Sequence, residues 1–213
     1  MFLFTDRQVI YIVLACVCCL SILFLFLFPL LKKVIYRRSF KKRYYSVINK
    51  LVLDEDYLLI NNFIIKGLNI KIDHIIFANK FIYLVKDEYY EGAIEGKIKD
   101  NKFIYYPYKN RDVLTVPNPY IKLKEDFDNI VRLAGIDANF FQLVTLINND
   151  VLINVEKNKQ NNYHIISRGN LINEIKEIEN AAKVHDFNQD ALVKAAKDIA
   201  RINERGVKRG RRN

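Results

Sequence analysis

The sequence predicts an α/β (α+β) fold, a mixed β-sheet domain with flanking helices, preceded by an N-terminal transmembrane helix. Three observations carry this. Residues 9–31 run for 23 positions without a charge. Residues 57–106 hold five short segments rich in Ile, Tyr, Phe and Val, as strands do. Further strand-like segments and three amphipathic stripes at helical spacing complete the chain. A length of 213 residues, 51 % of them hydrophobic, allows one anchored domain and excludes a large multidomain enzyme. Seven Gly, four Pro and 27 % charged residues exclude collagen-like and wholly disordered chains.

As a helix, residues 9–31 (VIYIVLACVCCLSILFLFLFPLL) reach about 35 Å at roughly 1.5 Å per residue, enough to span a bilayer. No polar stripe interrupts the run, as the helix of a soluble domain requires. A cleaved signal has a basic start and a shorter apolar stretch, whereas the early charges here are Asp6 and Arg7. Leu14-Ala15-Cys16 resembles a lipoprotein box, but the apolar run continues for fifteen residues beyond it. Lys32, Lys33, Arg37, Arg38, Lys41, Lys42 and Arg43 crowd the C-terminal side, against Arg7 and the α-amino group. The positive-inside bias therefore predicts a single pass through the cell membrane, with the N-terminus outside and the body in the cytoplasm. The same cluster attracts anionic lipid headgroups at about 1 kcal/mol per basic residue. Cys16, Cys18 and Cys19 all fall inside the apolar run, so no disulfide framework or thiol chemistry is expected in the body.

The formal charge of +10 is unevenly placed. Residues 32–50 carry eight basic groups and no acid, and residues 194–213 carry eight basic and two acidic ones, while residues 51–193 have seventeen basic and twenty-one acidic groups. The flanks are basic and the body mildly acidic, so a polyanionic partner meets the ends first. The expected organisation is an outside N-terminus and transmembrane helix (1–31), a basic juxtamembrane helix or linker (32–50), a folded domain (51–185), and a C-terminal helix with a basic tail (186–213).

Within the body, residues 57–65, 68–77 and 81–86 read as consecutive strands of a meander, followed by strands at 93–98 and 102–106 around an Asp100-Asn101 turn. Pro117 and Pro119 break the strand pattern, and residues 120–133 (YIKLKEDFDNIVRL) present a helical face. Strands at 139–147, 151–155 and 163–166 complete one sheet, and helices follow at 171–183 and 189–203. No internal repeat is visible.

The informative stretch is residues 72–96 (IDHIIFANKFIYLVKDEYYEGAIEG). Ile72-Asp73-His74, the apolar strand 81–85, Tyr90, Gly92, Ile94 and Gly96 resemble the core of the nuclease-related domain family, NERD. Asn118-Pro119 is similar to the Asn-Pro that opens a helix in that family, and residues 140–154 resemble its next strand pair. The resemblance covers roughly residues 45–180. It implies a restriction-endonuclease-like sheet with an Asp…(Glu/Asp)-x-Lys site, in which two carboxylates hold Mg²⁺ against a phosphodiester and a Lys orients water.

Aligned on Tyr90-x-Gly92, the family's Glu falls on Lys86 and its Lys on Glu88, so Glu-x-Lys has become Lys-x-Glu. The Gly-Glu of the family's first helix has no counterpart near residues 44–50, and the Gln after Asn-Pro falls on Lys122. Lys86 and Glu88 share one strand face, which leaves two readings. Either Asp73 and Glu88 hold a metal from a shifted position, or Lys86 neutralises Asp73 in an ion pair and the site is degenerate, with no cofactor. The degenerate reading is favoured, because a cation stands where Mg²⁺ belongs. His74 lies on the opposite strand face and reads as structural, while His164 and His185 stand apart from any ligand spacing. The tail residues Arg205, Lys208, Arg209, Arg211 and Arg212 suit DNA or RNA phosphates, lipid headgroups or plain solvation, without the aromatic interleaving of sequence-specific readers. The functional expectation is a cytoplasmic, degenerate NERD-like domain that binds nucleic acid or a partner protein near the membrane. An active Mg²⁺-dependent nuclease and a scaffold without nucleic-acid contact are the alternatives.

Overall fold

A computed structural model describes residues 6–108, 112–156 and 162–203. The chain divides into two units, Met1–Lys41 and Lys42–Asn213. In the first, α1 (Asp6–Arg38) is one continuous helix, and the Ser21 hydroxyl is satisfied by the Val17 carbonyl at 2.8 Å. Among the described residues no helix is long and apolar enough to cross a membrane. Lys32, Lys33, Arg37 and Arg38 lie on the last turns of α1, and Lys41, Lys42 and Arg43 on the first turn of the next helix, α2 (Phe40–Asp54).

The second unit opens on α2, whose Tyr44, Ile48 and Leu51 are buried at the i, i+4, i+7 spacing of a helix face. Nine strands follow in the described residues: β1 (Leu58–Ile65), β2 (Ile70–Phe77), β3 (Ile82–Asp87), β4 (Gly92–Lys97), β5 (Lys102–Pro107), β6 (Leu114–Pro117), β7 (Phe141–Ile147), β8 (Leu152–Glu156) and β9 (Tyr163–Ser167). Helix α3 (Pro119–Ala134) separates β6 from β7, and α4 (Leu171–Ala181) and α5 (Gln189–Ile202) close the unit.

The strands make two mixed sheets where one was expected. The larger has the order β1-β2-β3-β7-β9, with β1, β2 and β3 antiparallel as a meander and β3, β7 and β9 parallel. The smaller has the order β6-β5-β4-β8, with β4 and β8 parallel. The parallel pair β3·β7 passes into the parallel pair β4·β8 across a bend. Asn148 holds that bend by accepting from the Tyr90 N–H at 3.0 Å and donating to the Tyr90 carbonyl at 2.8 Å. Periodicity reads the segments but not the bend. Pro117, a strand breaker by sequence, instead ends the short strand β6, because at a sheet edge no ladder N–H is required there.

The larger sheet is covered on both faces, which is why β2 and β3 read as nearly continuous apolar runs. Phe77, Leu84 and Leu143 pack with Leu123, Phe127 and Ile130 of α3 and Ile199 of α5. On the other face the Tyr83 hydroxyl donates to Glu179 of α4 at 2.7 Å. The folded unit thus takes in α2 and α5, on either side of the 51–185 stretch.

Candidate functional site

The site forms where β2 and β3 part. Their ladder runs from Phe77↔Ile82 to His74↔Val85. Continued, it would set Asp73 opposite Lys86 and Lys71 opposite Glu88, with Asp73 and Lys86 on one face. Instead the backbone N–H of Asp87 donates to the Asp73 carboxylate, Oδ2, at 3.1 Å. The Lys86 ammonium lies 3.6 Å from the same oxygen and donates to the Lys71 carbonyl at 3.3 Å. Side chains therefore take over the peptide groups that the parting strands release. Asp73 is 3 % exposed, so its charge needs these partners.

A second ion pair comes from α3. Asn118 caps this helix, accepting from the Tyr120 N–H at 3.0 Å, and Pro119 fills the first turn. The Asn118 amide also donates to the carbonyls of Ile98 and Asp100 at 2.9 and 2.7 Å, fixing α3 to the β4–β5 turn. One turn on, Lys122 Nζ lies 2.8 Å from Asp126 Oδ1 and 3.2 Å from Glu125 Oε2. Asp126 is 2 % exposed. Burial pushes its pKa up, while Lys122, the Lys71 N–H and the Lys86 charge act against that shift.

Between these pairs lies a cavity of about 310 Å³, lined by Lys86, Glu88 and Tyr90 on one side and by Val116, Pro117, Asn118, Lys122, Leu123 and Asp126 on the other. Tyr90 is held protonated by burial and by the neighbouring Glu88 and Tyr105. Glu88 follows the end of β3; its carbonyl accepts from the Tyr44 hydroxyl at 2.9 Å. Lys86 and Glu88 thus share a cavity, and Asp73 reaches it through Lys86. Asp126 was not singled out in the sequence. The available signal was a carboxylate on the apolar stripe of Leu123, Phe127 and Ile130, four residues after Lys122.

On the other sheet face His74 bridges Asn61 and Asp87, with Nδ1 2.6 Å from Asn61 Oδ1 and Nε2 3.1 Å from Asp87 Oδ2. Tyr45 of α2 stacks on the imidazole at 6.4 Å. His164 contacts Gln142 at 3.1 Å. The tail residues Arg205, Lys208, Arg209, Arg211 and Arg212 lie outside the described residues.

An Asp-bearing strand thus parts from a Lys-x-Glu strand over a cavity backed by an Asn-Pro helix, in a mixed α/β domain. The chain belongs to the NERD family, nuclease-related domain, which matches residues 38–148, 111 of its 213 positions. No curated protein matches the chain, and no solved structure does. A metal-dependent role is compatible with that family. The residues do not fit a divalent ion as they stand, because the Lys86 ammonium is seated against Asp73 and the Lys71 carbonyl. Among the described residues no group of three His, Cys, Asp or Glu side chains is placed to hold a metal.

Proposed function

We propose that the protein is a single-pass membrane protein whose cytoplasmic NERD domain has a restriction-endonuclease-like fold and a degenerate nuclease site, and that it binds nucleic acid near the membrane. The observation that carries the degenerate site is the Lys86 ammonium 3.6 Å from Asp73, where the family places a carboxylate toward a metal. Removing one acidic ligand and adding a cation costs metal affinity directly. The fold assignment is supported by the mixed five-stranded sheet that opens at Asp73.

The anchor is supported by the charge-free residues 9–31 and by the basic residues that follow. Those residues would hold the domain against anionic headgroups. Nucleic acid is favoured over a protein partner by the family and by the concentration of basic groups at 32–50 and 194–213. The deciding experiment uses the full chain in nanodiscs with plasmid and single-stranded DNA, in Mg²⁺ or Mn²⁺. Salt-sensitive binding without cleavage is expected. Cleavage abolished by Asp73→Ala and by Glu88→Gln would establish an active nuclease instead, and absence of binding at low salt would favour a scaffold.

A further inference from the structure

We infer that Lys86 is a tethered cation seated in a latent divalent-metal site, whose oxygen donors are the carboxylates of Asp73 on β2 and Asp126 on α3 and the carbonyl of Lys71. This rests on the degenerate-site reading and adds donors that the Asp…(Glu/Asp)-x-Lys pattern does not include.

The geometry follows from the parting of β2 and β3. The Lys71 carbonyl receives the Lys86 ammonium at 3.3 Å, and Asp73 Oδ2 lies 3.6 Å from the same ammonium. Asp126 of α3, 2 % exposed, lines the same cavity as Lys86. Carboxylate and carbonyl oxygens around one cation are the donor set of a hard divalent ion.

Charge supports the assignment. Four carboxylates, Asp73, Glu88, Asp126 and the more exposed Glu125, face two ammoniums, Lys86 and Lys122, around the cavity and its rim. Taking away the Lys86 charge leaves an acidic excess of three, which favours a divalent cation and disfavours a phosphate. The carbon stem of Lys86 keeps its head between the parted strands, so it competes with any free ion at a high effective concentration. In this chain the lysine supplies the balancing charge and excludes the metal.

The test measures Mn²⁺ binding to the full chain in nanodiscs by the loss of the free-ion paramagnetic signal, alongside the melting temperature. The unmodified chain is expected to show no saturable binding. Lys86→Met removes the charge and keeps most of the stem, and is expected to create a saturable site and a Mn²⁺-dependent rise in melting temperature. Adding Asp126→Asn or Asp73→Asn to that variant should weaken binding by about tenfold or more, as loss of a supporting carboxylate does. Lys86→Gln, which keeps a donor for the Lys71 carbonyl, carries the same expectation. A saturable Mn²⁺ site in the unmodified chain that Asp73→Asn removes overturns the inference and can be read even if both variants misfold. A folded Lys86→Met that binds no more Mn²⁺ than the parent, or binding indifferent to Asp126→Asn, also overturns it. DNA cleavage by the unmodified chain is a separate readout, which strikes the proposed function.

Discussion

The backbone N–H of Asp87 donates to Oδ2 of Asp73 across 3.1 Å, while the carboxylate of Asp87 points the other way, 3.1 Å from His74 Nε2. One residue of β3 thus ties together the two faces of the sheet. The cavity side carries Asp73 and Lys86, and the α2 side carries Asn61, His74 and Tyr45.

Asp73→Ala removes the acceptor of the Asp87 N–H and the counter-charge of Lys86. Because Lys86 is about one-quarter exposed, the loss is expected near the low end for breaking a buried pair, about 2–3 kcal/mol. Asp73→Asn keeps an oxygen for the Asp87 N–H and should cost less. Urea unfolding of the domain checks the order, with the slope unchanged if the denatured state is unaffected.

His74→Phe keeps ring volume beside Tyr45 but takes one partner from Asn61 and one from the buried Asp87. A loss of about 2–4 kcal/mol is expected, since polar groups are left buried. Adding Asn61→Leu to that variant should recover part of it. A double-mutant cycle in denaturant reads the coupling.

Glu179 is 6 % exposed and accepts from the Tyr83 hydroxyl and the Lys80 N–H, each at 2.7 Å. Burial pushes its pKa above the ordinary 4.5, against the Tyr83 hydrogen bond and Lys80, with Asp186 adding to the rise. The folded state then binds the proton more tightly than the unfolded one. This group's stabilisation is complete below the unfolded value and is lost as pH rises through the folded one. Glu179→Gln cannot titrate, so its stability should fall less steeply than the parent's over that window. Denaturation midpoints across the acidic range test this. A parallel slope in the two proteins would refute it.

Gly92 has a φ of +147°, and a Cβ placed there would lie 1.9 Å from the Tyr106 carbonyl oxygen on the neighbouring strand. Gly92→Ala must therefore separate β4 from β5 and is expected to cost on the order of 3 kcal/mol. Gly135, also at positive φ but with open space around it, should lose only about 1 kcal/mol on the same change. Thermal unfolding of the two variants compares a close approach with a conformational preference alone.

Deleting residues 204–213 removes Arg205, Lys208, Arg209, Arg211 and Arg212. If all five engage single-stranded DNA, the slope of log affinity against log salt should fall by about 3.5. An unchanged slope would move the electrostatic contact to the juxtamembrane residues. Protease added to sealed right-side-out vesicles should leave residues 51–213 intact, and their digestion would overturn the cytoplasmic placement.

The sequence alone carried what is local or repeats along one element. A charge-free run, the two-residue period that puts Asp73 and His74 on opposite faces, and an Asn-Pro helix start all depend on neighbouring residues. The ordered motif from Ile72 to Gly96 carried the family, because its spacing survives although Glu-x-Lys is inverted. Tertiary structure decided how those pieces face one another. The bend held by Asn148 at Tyr90 splits one expected sheet into two. Asp126 shares a cavity with Lys86 only because α3 packs against β2 and β3. Asn61 finds His74 by antiparallel register. Such contacts join residues from separate elements, and no period within a segment reports them, because strand register and helix docking are set by burying apolar faces across the whole domain.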